Sequence, residues 1–192
     1  MTTIRDGFTL DAVDWNPWVA MVDAATGGPA QVAAMQASAP DGQISTYNAT
    51  MAHDPETFGQ RTQLFKAVMY GHGGLPRSDR ELASVAVSYL NGCVYCAAIH
   101  ARIFAQLTHT PEIIQQLFDA GIATELSERH RAIVDYAAKL TRAPHLATSA
   151  DLAPLRAAGL SDLEILDLTN VVALFAWYNR LLEALGDVVY LA

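Results

Sequence analysis

Almost every segment of this chain is bracketed by residues that start and stop helices. Asp54-Pro55-Glu56 and Thr110-Pro111-Glu112 each open a helix with a capping residue, a proline and an acid. Proline suits the first helical position because an N–H there would have no intrahelical acceptor. The same punctuation predicts helices from Thr9 or Asp11 to about Ala25, from Pro29 to Ala37 and from Ser45 to Met51, the second closed by Ala39-Pro40-Asp41-Gly42. Others follow from Asp54 to about Tyr70, Ser78 to Leu90, near Cys93 to Leu107, Thr110 to Ala120, Ser127 to Leu140, Asp151 to Ala158 and Ser161 to Leu185. Ser78 with Glu81 three residues on reads as a capping box. Strand-like alternation is confined to an ambiguous stretch from Val85 to Tyr89. The expectation is one all-α domain over residues 1–192, a helical bundle with an N-terminal helical extension over 1–44 and a helix pair over 78–107.

Ser78, Asp79, Glu81 and Tyr95 recur at a constant offset as Ser161, Asp162, Glu164 and Tyr178. This faint echo suggests a pseudo-repeat of helix pairs, with chance as the competing explanation. The second copy carries Ala176, Asn179 and Glu183 where the first has Cys93, Cys96 and His100.

The only two cysteines lie in Asn91-Gly92-Cys93-Val94-Tyr95-Cys96-Ala97-Ala98-Ile99-His100. On a helix starting near Cys93, Cys96 lies ~60° from Cys93, and His100 only ~20° from it, so all three project from one face in successive turns. If Asn91-Gly92 folds the chain back on itself, Glu81 lies ~13 Å up the first helix and His100 ~10 Å up the second, roughly level. A carboxylate beside an imidazole orients the ring and raises its basicity, giving a relay from Glu81 through His100 to Cys96. The helix dipole favours a thiolate at Cys93, nearer the helix end, whereas a base one turn away favours Cys96. We take the second argument, because a general base acts directly on its neighbour.

Glu81 followed by Cys93-x-Tyr95-Cys96-x-x-x-His100 resembles the AhpD-like alkylhydroperoxidase group of the carboxymuconolactone decarboxylase superfamily, particularly its peroxidase-related branch. Asp79-Arg80-Glu81-Leu82-Ala83, Val85 to Gly92, His53-Asp54-Pro55-Glu56 and Tyr178-Asn179-Arg180-Leu181 carry the likeness further. The resemblance implies an all-helical fold assembled as trimers or hexamers, with a hydroperoxide as substrate and an unidentified thiol as reductant. It implies that Cys96 passes through a sulfenic acid, that Cys93 gives a proton or closes the disulfide, and that Glu81 and His100 form the relay. The best-known members carry a histidine where this chain has Tyr95.

Other readings of the same residues are open. The cysteines could be small buried hydrophobes; the pair could act on a protein or lipoyl disulfide; or Cys93, Cys96, His100 and Glu81 could hold zinc in a structural oligomer. We expect no metal and no cofactor, since three ligands on one helix face suit tetrahedral geometry badly. Tyr95 and Tyr89 flank the motif and are candidates for a substrate pocket, with packing as the plainer role. His53 reads as a local contact, His72 as part of a glycine-rich connector, and His109, His130 and His145 as solvated. Trp15, Trp18, Trp177 and Phe175 read as core or subunit-interface residues.

A net charge of −8 without a basic stripe argues against nucleic-acid binding. The 52% hydrophobic content is high for a domain of this size and suggests that copies of the chain cover one another. Met1 to Gly7 carries no apolar signal region, and runs such as Val171 to Tyr178 are too short to cross a bilayer. The expectation is therefore a cytoplasmic homo-oligomer without a membrane anchor.

Overall fold

The computed structural model describes residues 7–39 and 42–191. The N-terminal stretch Met1 to Asp6 and the Pro40-Asp41 step of the second expected turn lie outside them. In chain order the elements are β1 (Val13–Pro17), α1 (Pro29–Ser38), α2 (Thr46–Met51), α3 (Pro55–Tyr70), α4 (Arg77–Asn91), α5 (Val94–Thr108), α6 (Pro111–Ala120), α7 (Glu128–Arg142), α8 (Ala153–Ala157), α9 (Asp162–Leu185) and β2 (Gly186–Tyr190). The architecture is a helical bundle in a single domain, with one small two-stranded sheet among the described residues. No helix among those residues is long and apolar enough to cross a membrane.

The centre of the bundle is α4, buried at every position from Asp79 to Tyr89. A surface helix keeps one polar face, so burial all round requires enclosure by other helices. Here α5, α7 and α9 provide it. The core around α4 includes Leu82, Val85, Phe104, Ile133, Leu168 and Phe175. The ambiguous Val85 to Tyr89 stretch is therefore helix interior: its β-branched and aromatic content reflects burial on all sides rather than a sheet. The antiparallel hairpin of α4 and α5 forms at Gly92, whose φ of 82° lies in the left-handed region that favours glycine.

Local signals locate most helices correctly. Asp54 accepts from the Thr57 N–H, Ser127 from that of His130, and Ser161 forms a full capping box with Glu164. Ser78 does not cap. It lies inside α4, which starts at Arg77 after Pro76, and Glu81 turns instead to Arg77 and His100. The expected helix from Asp151 to Ala158 is split into a 3-10 turn (Ser149–Leu152) and the short α8. The second copy of the internal echo falls on one unbroken helix, α9, with Phe175 at the position matching Gly92. No second hairpin of that pattern forms, because nothing there interrupts the helix.

The main correction concerns the N-terminal extension. Residues Thr9 to Ala25 form no helix: the Thr9 hydroxyl binds Asp11 locally, and β1 pairs antiparallel with β2, Trp15 opposite Val188 and Pro17 opposite Gly186. Pro17 would break a helix at mid-length but is tolerated on an edge strand. A Cβ at Gly186 would come within 2.5 Å of the Asn16 carbonyl and the Trp15 ring, so glycine permits this close approach. Among the described residues of the extension only α1 is helical. Its strand brings Trp15, only 2% exposed, against Tyr47, Cys93, Leu174 and Leu182.

Candidate active site

The hairpin turn positions the thiols. The Cys93 N–H donates to the Ser88 carbonyl at 2.9 Å, leaving Cys93 as the N-cap residue of α5 and Cys96 in its first turn. Both are free and buried, and the Cys93 S–H donates to the Cys96 sulfur at 2.9 Å. This hydrogen bond, and then burial, push the Cys93 thiol well above its ordinary pKa. Asn179 of α9 pins the turn from outside: its amide donates to Ser88 Oγ at 3.0 Å and accepts from Asn91 at 3.0 Å.

Glu81 is fully buried, and its Oε2 lies 2.5 Å from His100 Nδ1. Its Oε1 accepts from Arg77 Nε at 2.5 Å. Burial alone would raise the carboxyl's pKa, but the charges and hydrogen bonds of His100 and Arg77 outweigh it and hold Glu81 below the usual range. An ionised carboxylate can only accept, so Nδ1 carries the proton and Nε2 is the ring nitrogen left for chemistry. Phe175 packs edge-on against the imidazole, centroids 4.5 Å apart, and Arg77 stacks over Tyr70. Sequence placed Glu81 and His100 level; Arg77, one turn earlier on the same helix, was missed, although its spacing to Glu81 signals an ion pair.

A cavity of about 710 Å³ opens between α5, α9 and the α2–α3 segment. Cys96, His100 and Tyr95 of α5 line it together with Arg61, Tyr47 and Tyr178. Cys93 is not among the lining residues, nor is Tyr89, which packs between Phe8 and Phe118 in the main core. Tyr89 is thus a packing residue and not part of the pocket, because its position on α4 faces away from the cavity. Burial, helped by the charge of Asp14, pushes the Tyr95 phenol up to about 12. No hydrogen bond joins Cys96 to His100 among the described residues, so the two meet through the cavity they share.

The remaining sequence candidates sit elsewhere. His53 binds the Ala20 carbonyl at 2.6 Å and tethers the N-terminal loop. His130 is half-buried rather than solvated, packed edge-on to Phe104 and 3.9 Å from Asp79, and burial lowers its pKa. Phe175 is core, Trp15 is buried, and Trp18 is exposed with its indole donating to Asp187. No group of three or more His, Cys, Asp or Glu among the described residues is arranged to hold a metal ion, so the zinc alternative finds no ligand set. Sequence reasoning missed Arg61 and Tyr47 altogether, and met Tyr178 only in the internal echo and the family resemblance. No local pattern marks the first two as cavity residues.

Residues 55–139 match the carboxymuconolactone decarboxylase family. Among solved structures, the chain is similar to an alkylhydroperoxidase AhpD core, a peroxidase-related protein from Ralstonia eutropha JMP134. That match has 25% identity and a TM-score of 0.78, covering 88% of this chain and 90% of that one. A peroxidase-related protein from Silicibacter sp. TM1040 is 28% identical, with a TM-score of 0.73 over 85% of this chain and 88% of that one. The debrominase Bmp8 shares the fold at 17% identity, with a TM-score of 0.70 over 88% and 90% of the two chains. No curated protein matches the chain. These matches support a place for the chain in the AhpD-like carboxymuconolactone decarboxylase superfamily.

Proposed function

We propose that this protein is a thiol-dependent peroxidase that reduces organic hydroperoxides, with Cys96 as the attacking sulfur. The observation that carries this reading is the division of labour at the site. Cys96 and His100 open on one small-molecule cavity, while Cys93 stays behind Cys96 with its S–H directed at the Cys96 sulfur. A donor aimed at that sulfur stabilises negative charge forming on it, and burial keeps the Cys93 proton in place. Cys93 does not line the cavity that Cys96 and His100 share, which supports Cys96 over the dipole argument for Cys93.

In the reaction, His100 Nε2 takes the Cys96 proton through a group held in the shared cavity, and Glu81 stabilises the imidazolium. The Cys96 thiolate attacks the terminal peroxide oxygen. The O–O bond breaks, a sulfenic acid forms on Cys96, and the leaving alkoxide takes the proton from His100 as the alcohol departs. Cys93 then attacks the sulfenic sulfur, releasing water and closing the Cys93–Cys96 disulfide. An external dithiol reduces it, returning two electrons and two protons. Burial of both sulfurs favours a small oxidant over a protein disulfide, whose backbone could not enter a cavity of this size.

The test is turnover of cumene hydroperoxide with excess dithiol by wild type and Cys96→Ser. Loss of turnover to the uncatalysed background is expected, and mass spectrometry after brief exposure should find the first oxygen on Cys96. Equal rates in the two proteins would remove Cys96 from the chemistry.

A homo-oligomer is part of the same reading. Leu163, Leu166, Ala173 and Trp177 form one exposed stripe along α9, spaced to meet another helix. Leu166→Glu should lower the assembly state seen by sedimentation; an unchanged mass would put the contact elsewhere.

A further inference from the structure

Arg61 of α3 is a cation in an unusual position. Its residue is 8% exposed, yet no acid lies within ion-pair distance of it among the described residues. Buried charges are normally neutralised by a partner. Arg80, the other deeply buried arginine, obeys that rule through Asp167. Around Arg61 there are instead three aromatic rings, Tyr47, Phe58 and Tyr178, with centroids 5.2, 4.6 and 4.9 Å from the guanidinium carbon. Aromatic faces soften the cost of desolvation but do not neutralise the charge.

The guanidinium also has hydrogen-bonding capacity to spare. It donates from Nη1 to the Tyr178 hydroxyl at 2.5 Å, makes a long 3.4 Å contact from Nη2 to Asn48, and its buried Nε has no partner among the described residues. Beside it the buried Tyr47 hydroxyl has no partner either. Both residues line the cavity that holds Cys96 and His100. That lining contains no aspartate or glutamate, and its other cation is Lys66 at the rim. In a chain of net charge −8, a cavity whose charged lining residues are cations favours anions.

We propose that this end of the cavity is a carboxylate subsite, where Arg61 and the Tyr47 hydroxyl hold the acid group of a small organic hydroperoxide whose other end meets Cys96. The proposal rests on the peroxidase reading and names its substrate class. A planar fork of N–H donors suits a carboxylate's two oxygens, and the phenol supplies a further donor. The volume of about 710 Å³ falls within the range of small-molecule sites, about 300–1,000 Å³. Ring contacts from Tyr178 to Phe175 and from Phe175 to His100, with centroids 5.9 and 4.5 Å apart, join the subsite to the imidazole.

The test compares the para-carboxylate of cumene hydroperoxide with its methyl ester, which lacks the charge at the far end and adds one methyl group there. Wild type should favour the acid over the ester in kcat/KM by about tenfold to hundredfold, the range expected for hydrogen bonds to a charged group. Arg61→Gln should bring that ratio towards one, Arg61→Lys should restore part of it, and Tyr47→Phe should lower it less. Direct binding of the corresponding carboxylated alcohol, measured by calorimetry, should be detectable in wild type and lost in Arg61→Gln. Equal kcat/KM for acid and ester in wild type would overturn the carboxylate subsite while leaving the peroxidase reading intact. Binding of the carboxylated alcohol without turnover of either hydroperoxide would uphold the subsite and overturn the peroxidase reading. Absence of that binding in wild type would overturn the subsite, and Tyr47→Phe supplies the comparison if Arg61→Gln does not fold.

Discussion

Asp79, Arg80 and Glu81 are consecutive, buried and charged, yet they serve two different regions of the molecule. Asp79 accepts from Arg129 at 2.8 Å, and Arg129 also reaches Glu164. Arg80 pairs with Asp167 at 3.0 Å and donates to the carbonyls of Val68, Gly71 and Gly73. Every charge in that region meets a counter-charge, and the result fastens α3, α4, α7 and α9 together. Glu81 points into the other region, where His100 keeps one ring nitrogen uncommitted, Cys96 faces a cavity and Arg61 has no acid. Closed networks hold a fold; open valences in a cavity are what a substrate can use. One helix supplies both because its side chains point in different directions at successive residues.

The comparison breaks if the two regions respond alike to substitution. The largest effect is expected from Arg80→Met, which leaves three carbonyls without the arginine and Asp167 with the Leu75 N–H but no counter-charge. Removing one member of a buried pair costs about 3–5 kcal/mol, with the lower end expected here because Asp167 keeps some solvent contact. Urea unfolding should show the loss, while peroxide turnover per folded molecule stays within a few-fold of wild type. A collapse of turnover in a variant that remains folded would mean that the two regions are coupled.

Glu81→Gln is next, and should act in the opposite sense. With the charge that stabilises the imidazolium gone, kcat/KM for hydroperoxide should fall about 10²-fold, at the lower end of the usual acid–base contribution. It also has a stability signature. The folded carboxyl titrates below its ordinary value, so its contribution is fully present above the usual carboxylate range and is lost as pH falls through the lowered folded value. The stability gap between wild type and Glu81→Gln should therefore narrow as urea titrations move from about pH 7 to about pH 3. A gap that widens in acid would contradict the depressed pKa.

Tyr95→Phe sharpens the comparison with the smallest change. The phenol lines the cavity and stays protonated, so it can donate one hydrogen bond to a bound oxygen. Losing one such bond costs about 1 kcal/mol, or several-fold in kcat/KM. A loss as large as that of Glu81→Gln would move Tyr95 into the proton path, at the position where familiar relatives carry histidine.

The legible parts of this protein were those decided within one or two helical turns. Asp54, Ser127 and Ser161 announce helix starts because a side-chain oxygen meets an N–H three residues away. Gly92 announces the hairpin because it turns the backbone where other residues resist turning. Once the hairpin is granted, helical pitch alone brings Glu81 to His100. The illegible parts depend on distant partners. Nothing near Trp15 shows that Val188 will lie opposite it, and a helix-breaking proline was the sole local hint of β1. Arg61 looks like any arginine of a surface helix until α2 and α9 close over it.

Sequence alone determined that this chain would form helices, where most of them begin, and that two thiols, an imidazole and a carboxylate would share one helix hairpin. Those outcomes follow from backbone hydrogen bonds and pitch, which act over a few residues. Tertiary structure decided which thiol lines the cavity, that β1 pairs with β2, and that a cation is buried in the same cavity's wall with no acid within ion-pair distance among the described residues. Such features arise from which faces of separate helices meet, and packing sets that only when the whole chain is in place.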